Sequence, residues 1–507
     1  MNPLWTLLPP LLVIPFIIYF GERRRNLREL SIVIAGLLLL FLNNRIYQDL
    51  MRGDTAESGS FDMMGGLVLK LSAEPIGNLF ALLASFLWVI TTIYSVGYMR
   101  GHKEINQTRF YTCFAIALAA VMAAAYADNL LTLLIAYEVL TISTFPLVTH
   151  AGTDNARRGG RLYLSILMGT SIGLLMPAII WTFILTGTTT FTPGGIIHPA
   201  IGGTTISILI GLYVFGIAKA AIMPFHRWLP AAMVAPTPVS ALLHAVAVVK
   251  TGVFALLKIA TYTFGVDTLA ATGSADWILW IAAFTVLSAS LVAFSKDNLK
   301  ARLAYSTISQ LSYIIIAACL ASSIAVVGGA MHIVMHGFAK ITLFFCAGAI
   351  MVSAHKTNIS ELDGLGRKMP ITMLAFTIGS LGIIGLPPAS GLWSKLLIAQ
   401  GTLQNGQIWL IAVLMLSTLL NIAYLLQVPL RAFFREPKDD DGHDHDHSHA
   451  DDGDDYDISS SNSMTAAGWQ EAPAPALWAI VMTSSVVILL FFYPSPLLDL
   501  LEMIQWR

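Results

Sequence analysis

The chain has 507 residues, 56% of them hydrophobic and 12% charged, with a formal net charge of −1. Soluble globular domains carry about 25% charged residues, so that class is excluded. The apolar runs are continuous rather than alternating, which excludes a transmembrane β-barrel and leaves an all-α polytopic membrane protein.

Fourteen apolar segments follow one another, at about 3–20, 29–43, 76–99, 108–127, 129–149, 161–186, 204–223, 238–261, 275–294, 303–321, 324–352, 371–400, 407–433 and 475–497. The first has no basic leader or small-residue cleavage site, so it reads as a spanning helix. The second is short. The eleventh and twelfth are long enough to be tilted or broken. Residues 436–474 are acidic and polar and predict a disordered loop. Within it His443, His445, His447 and His449 sit among acidic residues, a composition suited to weak, adventitious metal binding at most. Cys113, Cys319 and Cys346 lie in separate apolar segments and make neither a disulfide framework nor a metal spacing.

The basic residues test this count. Twenty of the 29 Lys and Arg fall in alternate connections, beginning with Arg23, Arg24, Arg25 and Arg28, and four fall on the opposite side. The bias sets orientation by the positive-inside rule, with both termini outside. The remaining five are Lys219, Lys250, Lys258, Lys340 and Lys395, all within apolar segments. A charge at the bilayer centre costs roughly 2.5–3.5 kcal/mol even on the mildest scale, so such residues read first as an ion path. Glu138 is the one acid deep within a segment; Glu74 and Asp128 lie at segment ends.

The seventh segment carries Lys219 ahead of Pro224, and the twelfth carries Gly385, Pro387 and Pro388 ahead of Lys395. Proline removes a backbone donor and interrupts a helix. Two interrupted spans of opposite direction, each with a lysine, predict an inverted repeat. The predicted organisation is helices 1–3 over 1–107, one five-helix unit over 108–261, a second over 275–433, the loop 436–474 and a last helix in 475–507. Lys250 lies twelve residues past Pro238, about 18 Å along a helix and hence near mid-membrane. His332, His336 and Lys340 share one helix face. Glu138 is expected to pair with Lys219. Lys258, near the outer end of its helix, is expected to be structural and to snorkel.

The run PFHRWLPAAMVAPTPVSALLHAVAVVKTGVF at 224–254 resembles the hallmark of the antiporter-like subunits shared by respiratory complex I, membrane-bound hydrogenases and Mrp-type sodium/proton antiporters. YSVGYM, KDNLKARLAYSTISQLSYI, HGFAKITLFFCAG and GLPPASGLWSK agree in order and spacing, so the resemblance covers nearly the whole chain. It implies an ion path through Glu138, Lys219, Lys250 with His244, and Lys395, to which the stripe adds His336 and Lys340. Tyr137 stands where that family often has tryptophan. The length and span count are most similar to the D-type subunit of the Mrp branch, and no long C-terminal lateral helix of the kind found in the largest complex I antiporter-like subunit is expected. The implied function is proton or cation translocation in a multisubunit monovalent cation (Na+)/H+ antiporter of a bacterial inner membrane. Alternatives are a pump subunit of a complex I-like oxidoreductase or hydrogenase, or the energising subunit of an inorganic-carbon uptake system. The implied partners are homologous and small hydrophobic membrane subunits, protons, a monovalent cation and lipid, with no nucleic acid. No cofactor and no catalytic chemistry are expected in the chain itself.

Overall fold

The computed structural model describes residues 1–63, 68–436 and 469–506. Helices occupy all fourteen predicted positions. The first three spans are a 3-10 turn Pro3–Leu7 leading into α1 (Leu8–Phe20), then α2 (Arg25–Met51) and α3 (Pro75–Gly101). Next come α4 (Gln107–Ala125), α5 (Leu130–Val148) and α6 (Asp154–Thr170), the last continuing through a wide turn at Ser171–Leu175 into α7 (Met176–Thr186). The seventh span is α8 (Gly203–Gly216), a 3-10 turn Ala218–Ala220 and the short α9 (Trp228–Ala231). The eighth is α10 (Thr237–Ala241), a wide turn Leu242–Val246 and α11 (Val248–Ile259), with α12 (Val266–Thr272) beyond it. Then follow α13 (Asp276–Ser295), α14 (Leu299–Cys319), α15 (Ser323–Ala354), the short α16 (Leu365–Lys368), α17 (Pro370–Ile384), α18 (Gly391–Gln404), α19 (Trp409–Phe434), α20 (Ala474–Phe492) and α21 (Ser495–Glu502). Eleven helices among the described residues are long and apolar enough to cross a membrane. The seventh and twelfth predicted spans are the interrupted ones.

Short polar side chains start many of these helices by accepting orphan amide protons. Glu74 caps α3 at Gly77 N (3.1 Å), Asn129 caps α5 at Thr132 N (2.8 Å) and Asn298 caps α14 at Ala301 N (3.1 Å). The α10–α11 span and α15 are wholly enclosed, whereas α1, α2, α19 and α20 bury only about a third of their most apolar stretch. The centre of the bundle is therefore α15, flanked by α3, α10, α11, α14, α17 and α18.

Several expectations need correction. The second span is not short: α2 extends through Arg28 and Glu29, both buried, so that Arg28 does not lie in a connection. Arg28 donates to Gln107 Oε1 (2.9 Å) and pairs with Glu22 (3.2 Å) and Glu29 (3.3 Å), which is what makes its burial tolerable. The eleventh span is long but not broken: it is one continuous helix of 32 residues. Beside the helices, two short strands, Phe61–Asp62 and Val68–Leu69, pair antiparallel, a local exception that leaves the fold all-α. The segment expected to be disordered ends in ordered contacts. Glu471 is buried and accepts from Ile371 N (2.7 Å) and Thr372 Oγ1 (2.6 Å) at the start of α17. His443, His445, His447 and His449 lie outside the described residues.

Gly252 of α11 sits against the seventh-span interruption: a Cβ there would stand 2.5 Å from Ala220 N and from the Lys219 carbonyl carbon. A methyl group must displace the turn, at a cost of ~1–3 kcal/mol. Gly252→Ala is expected to lower the thermal unfolding midpoint of the purified protein. Gly169→Ala, where nothing lies within 4 Å, is the control and leaves it unchanged or raised; equal midpoints in the two variants would refute the tight contact.

Candidate ion path

The first group of buried charges is built on the seventh-span interruption. Helix α8 stops at Gly216, and Ala221 takes a left-handed conformation (φ 56°). Lys219 therefore lies within the interruption rather than ahead of it. At the break the Ala218 carbonyl accepts both from Ala221 N (2.9 Å) and from Trp228 Nε1 (2.9 Å), so it is fully partnered, as an apolar surround demands. The Lys219 ammonium donates to Thr141 Oγ1 (2.6 Å) and to the Tyr137 carbonyl (2.7 Å), and lies 3.0 Å from the Tyr137 ring centroid. The expected Lys219–Glu138 ion pair is not formed. The side chain instead binds the α5 backbone and ring one residue away, and Glu138's enclosed oxygens have no hydrogen-bond partner among the described residues. The two charges remain within electrostatic reach of one another.

The second group lies at the centre. Lys250 Nζ and His336 Nδ1 are 2.7 Å apart. A charged lysine donates to a neutral Nδ1, and a neutral lysine accepts from Nδ1–H, so the contact holds one shared proton in either state. The His336 and His332 rings stack at 5.7 Å between centroids. His332 Nδ1 meets Ser394 Oγ at 2.9 Å and its ring stacks on Tyr313. Ser394 precedes Lys395, whose ammonium donates to the Ile384 carbonyl (3.0 Å) and lies 4.9 Å from the Tyr313 ring. Ile384 ends α17, where unpaired carbonyls attract a cation. The interruption itself holds Gly385 in a left-handed conformation (φ 85°) and a cis bond between Pro387 and Pro388, and a Cβ on Gly391 would fall 1.9 Å from the Gly382 carbonyl oxygen. A cis bond also joins Met223 to Pro224 in the seventh span.

The structure thus brings Lys250, His336, His332 and the Lys395 turn into one run. It does not draw in the others by direct contact. Lys340 turns to α14 and donates to Ser306 Oγ at 2.9 Å. His244 lies in the wide turn, packed on Phe344 at 4.6 Å, with neither ring nitrogen partnered among the described residues. Lys258 does not snorkel. It is buried, pairs with Glu74 Oε1 at 3.0 Å and donates to the Ala127 carbonyl at 2.8 Å. It therefore ties the end of α4 to the start of α3.

Sequence reasoning missed a hydroxyl cluster. Ser290, Ser309 and Ser417, from α13, α14 and α19, meet at 2.9, 3.4 and 3.5 Å, all fully buried. Ser306, Ser309, Gln310 and Tyr313 have the i, i+3, i+4, i+7 spacing of one helix face, a signal present inside KDNLKARLAYSTISQLSYI. No group of three or more His, Cys, Asp or Glu side chains suited to a metal ion occurs among the described residues.

Residues 127–421 match the family described as NADH:quinone oxidoreductase/Mrp antiporter, TM. NADH-quinone oxidoreductase subunit N of Desulforudis audaxviator is 27% identical over 72% of this chain and 73% of its own length. A probable K+/H+ antiporter A/B subunit of Rhizobium meliloti is 32% identical over 65% of this chain, which spans about a third (32%) of that larger protein. In fold the chain is similar to a chain of the Mrp complex from Dietzia sp. DQ12-45-1b, with a TM-score of 0.82, 21% identity and coverage of 99% of this chain and 96% of the other. A chain of an archaeal membrane-bound sulfane sulfur reductase matches with a TM-score of 0.79 at 20% identity, over 99% and 96%. With more than half its length matched by the family, and with this fold, the chain belongs to the NADH:quinone oxidoreductase/Mrp antiporter family of membrane subunits.

Proposed function

We propose that this chain is a proton- or cation-translocating subunit of a multisubunit monovalent cation/H+ antiporter, working through a midplane relay of Glu, Lys and His. The observation that carries this reading is the buried run from Lys250 through His336 and His332 to Ser394 beside Lys395. Imidazoles both donate and accept, so stacked histidines between two lysines pass a proton by exchanging tautomers, with water bridging the wider gaps. Glu138 and Lys219 act as the gate: their mutual field changes when either is neutralised. Lys250 is the central carrier and Lys395 the terminal one. Lys340 and His244 modulate the carrier through their charge.

The subunit names of curated relatives favour a second reading, in which redox chemistry elsewhere in a complex drives the same relay. Isolating the intact complex and identifying its subunits separates the two. Quinone- and iron–sulfur-binding partners would replace the antiporter reading with the redox one.

In vesicles, Lys219→Ala and Glu138→Gln are each expected to abolish ΔpH-linked cation exchange while the complex still assembles. Full exchange in either variant removes the gate. Lys250→Ala and His336→Ala are expected to lower the rate at least tenfold, and Ser394→Ala a few-fold, measured by dye-reported acidification; unchanged rates in the first two would break the relay at its centre. Lys258→Met is expected to act on stability instead, because it strands Glu74 next to a buried site. The loss is on the order of 3 kcal/mol, read as a lower unfolding midpoint. A stable Lys258→Met protein without exchange would instead place Lys258 in the path.

A further inference from the structure

We infer that a basin on the Arg-rich face, between the α1–α2 and α3–α4 turns, binds the phosphodiester headgroup of an anionic phospholipid. The basin has a volume of about 940 Å3 and is lined by Arg23, Arg24, Arg25, Arg100 and Lys103 against the two acids Glu22 and Glu104.

The positive-inside rule accounts for basic residues on this face but not for their arrangement. Two connections, separated in sequence by α2, the strand pair and α3, converge on one concavity. Its acids are already engaged within the protein. Glu22 accepts from Thr108 N (2.7 Å) and Thr108 Oγ1 (2.9 Å), and pairs with Arg28 (3.2 Å) and Arg25 (3.4 Å). Burial would raise its carboxyl, but the Thr108 hydrogen bonds and the Arg28 charge outweigh that and hold it below its usual range. Glu104 lies against His102 at 3.2 Å and His150 at 3.9 Å. Arg100 is engaged by Glu29 and by Asn26 Oδ1. The side chains of Arg23, Arg24 and Lys103 are exposed and form no hydrogen bond or ion pair among the described residues. Three cations on one rim are thus left uncompensated.

The frame around them is tied together by buried contacts. Arg28 is fully buried beneath the basin and joins α2 to the start of α4 through Gln107 and Thr108. Lys103 and Asn106 both hold left-handed backbone conformations, φ 51° and 55°, which non-glycine residues adopt at some cost and which shape the α3–α4 turn. Leu27 and Ile105, also at the basin, are exposed (42% and 73%) and offer apolar surface for the start of an acyl chain. Basic pockets between membrane helices on the leaflet side bind phosphate headgroups by this combination of charge and apolar edge. The attraction lies outside the ion path and is independent of the relay, so it survives failure of that reading.

The test uses the whole complex, purified and titrated with phosphatidylglycerol or phosphatidylcholine in mixed micelles, with bound lipid counted by native mass spectrometry. The wild type is expected to retain phosphatidylglycerol at least tenfold better than phosphatidylcholine, with the preference fading at high salt. The triple variant Arg23→Gln/Arg24→Gln/Lys103→Gln is expected to lose roughly a hundredfold in affinity, about fivefold per charge. The double variant Arg23→Lys/Arg24→Lys, which keeps the charges, is expected to retain most of it and controls for folding. Equal retention of the two lipids, or a triple variant that binds like wild type, overturns the proposal. Displacement of the lipid by millimolar inorganic phosphate would show a soluble-anion site instead, and overturns the lipid assignment.

Discussion

An ammonium group sealed inside an apolar bundle must find acceptors, and in this protein much of the core is arranged around that requirement. Four of the five intramembrane lysines obtain oxygens from backbone carbonyls: Tyr137 for Lys219, Ala127 for Lys258, Leu303 for Lys340 and Ile384 for Lys395. The fifth, Lys250, meets an imidazole nitrogen. The Ala127 and Ile384 carbonyls lie at helix ends, where the helical ladder leaves oxygens unpaired, whereas Tyr137 and Leu303 lie within α5 and α14 and give the ammonium a second, shared use of a helical oxygen.

This requirement couples the fold to the proposed function. A lysine held by a carbonyl or a neutral imidazole, rather than by a carboxylate, is not locked in its charged form. The one full ion pair among these lysines, Lys258 with Glu74, sits where two helix ends are tied together. The contrast gives Lys258 a structural part and leaves Lys250, on the same helix two turns away, without a carboxylate partner among the described residues. The interruptions also need glycine nearby. At Gly252 and Gly391 a neighbouring backbone comes so close that a side chain has no room.

The charge pattern works at two depths. Inside the bundle Lys219, Lys250, Lys340 and Lys395 form no ion pair with an acid among the described residues and are held by neutral oxygens or an imidazole. At the Arg-rich face, acids and bases interlock around Arg28 and leave a surplus of positive charge on the rim. The first arrangement suits passage of an ion, and the second suits attachment to an anionic surface.

The helical spans, the two interrupted helices and the burial of the five intramembrane lysines were legible in the sequence, because each follows from local composition: apolar length, proline and glycine. The i, i+4 stripe His332–His336 was legible for the same reason, since helical periodicity places those side chains on one face. Which side chains meet was not. Tertiary packing decided that Lys219 turns to Tyr137 and Thr141 rather than to Glu138, that Lys340 leaves its stripe for Ser306, and that Lys258 pairs inward. It also drew Arg28 into the bundle and gathered three serines from three helices. Each of these depends on distances across helix interfaces, set by the packing of α5, α11, α14, α15 and α18 around one another, and no spacing along the chain encodes them.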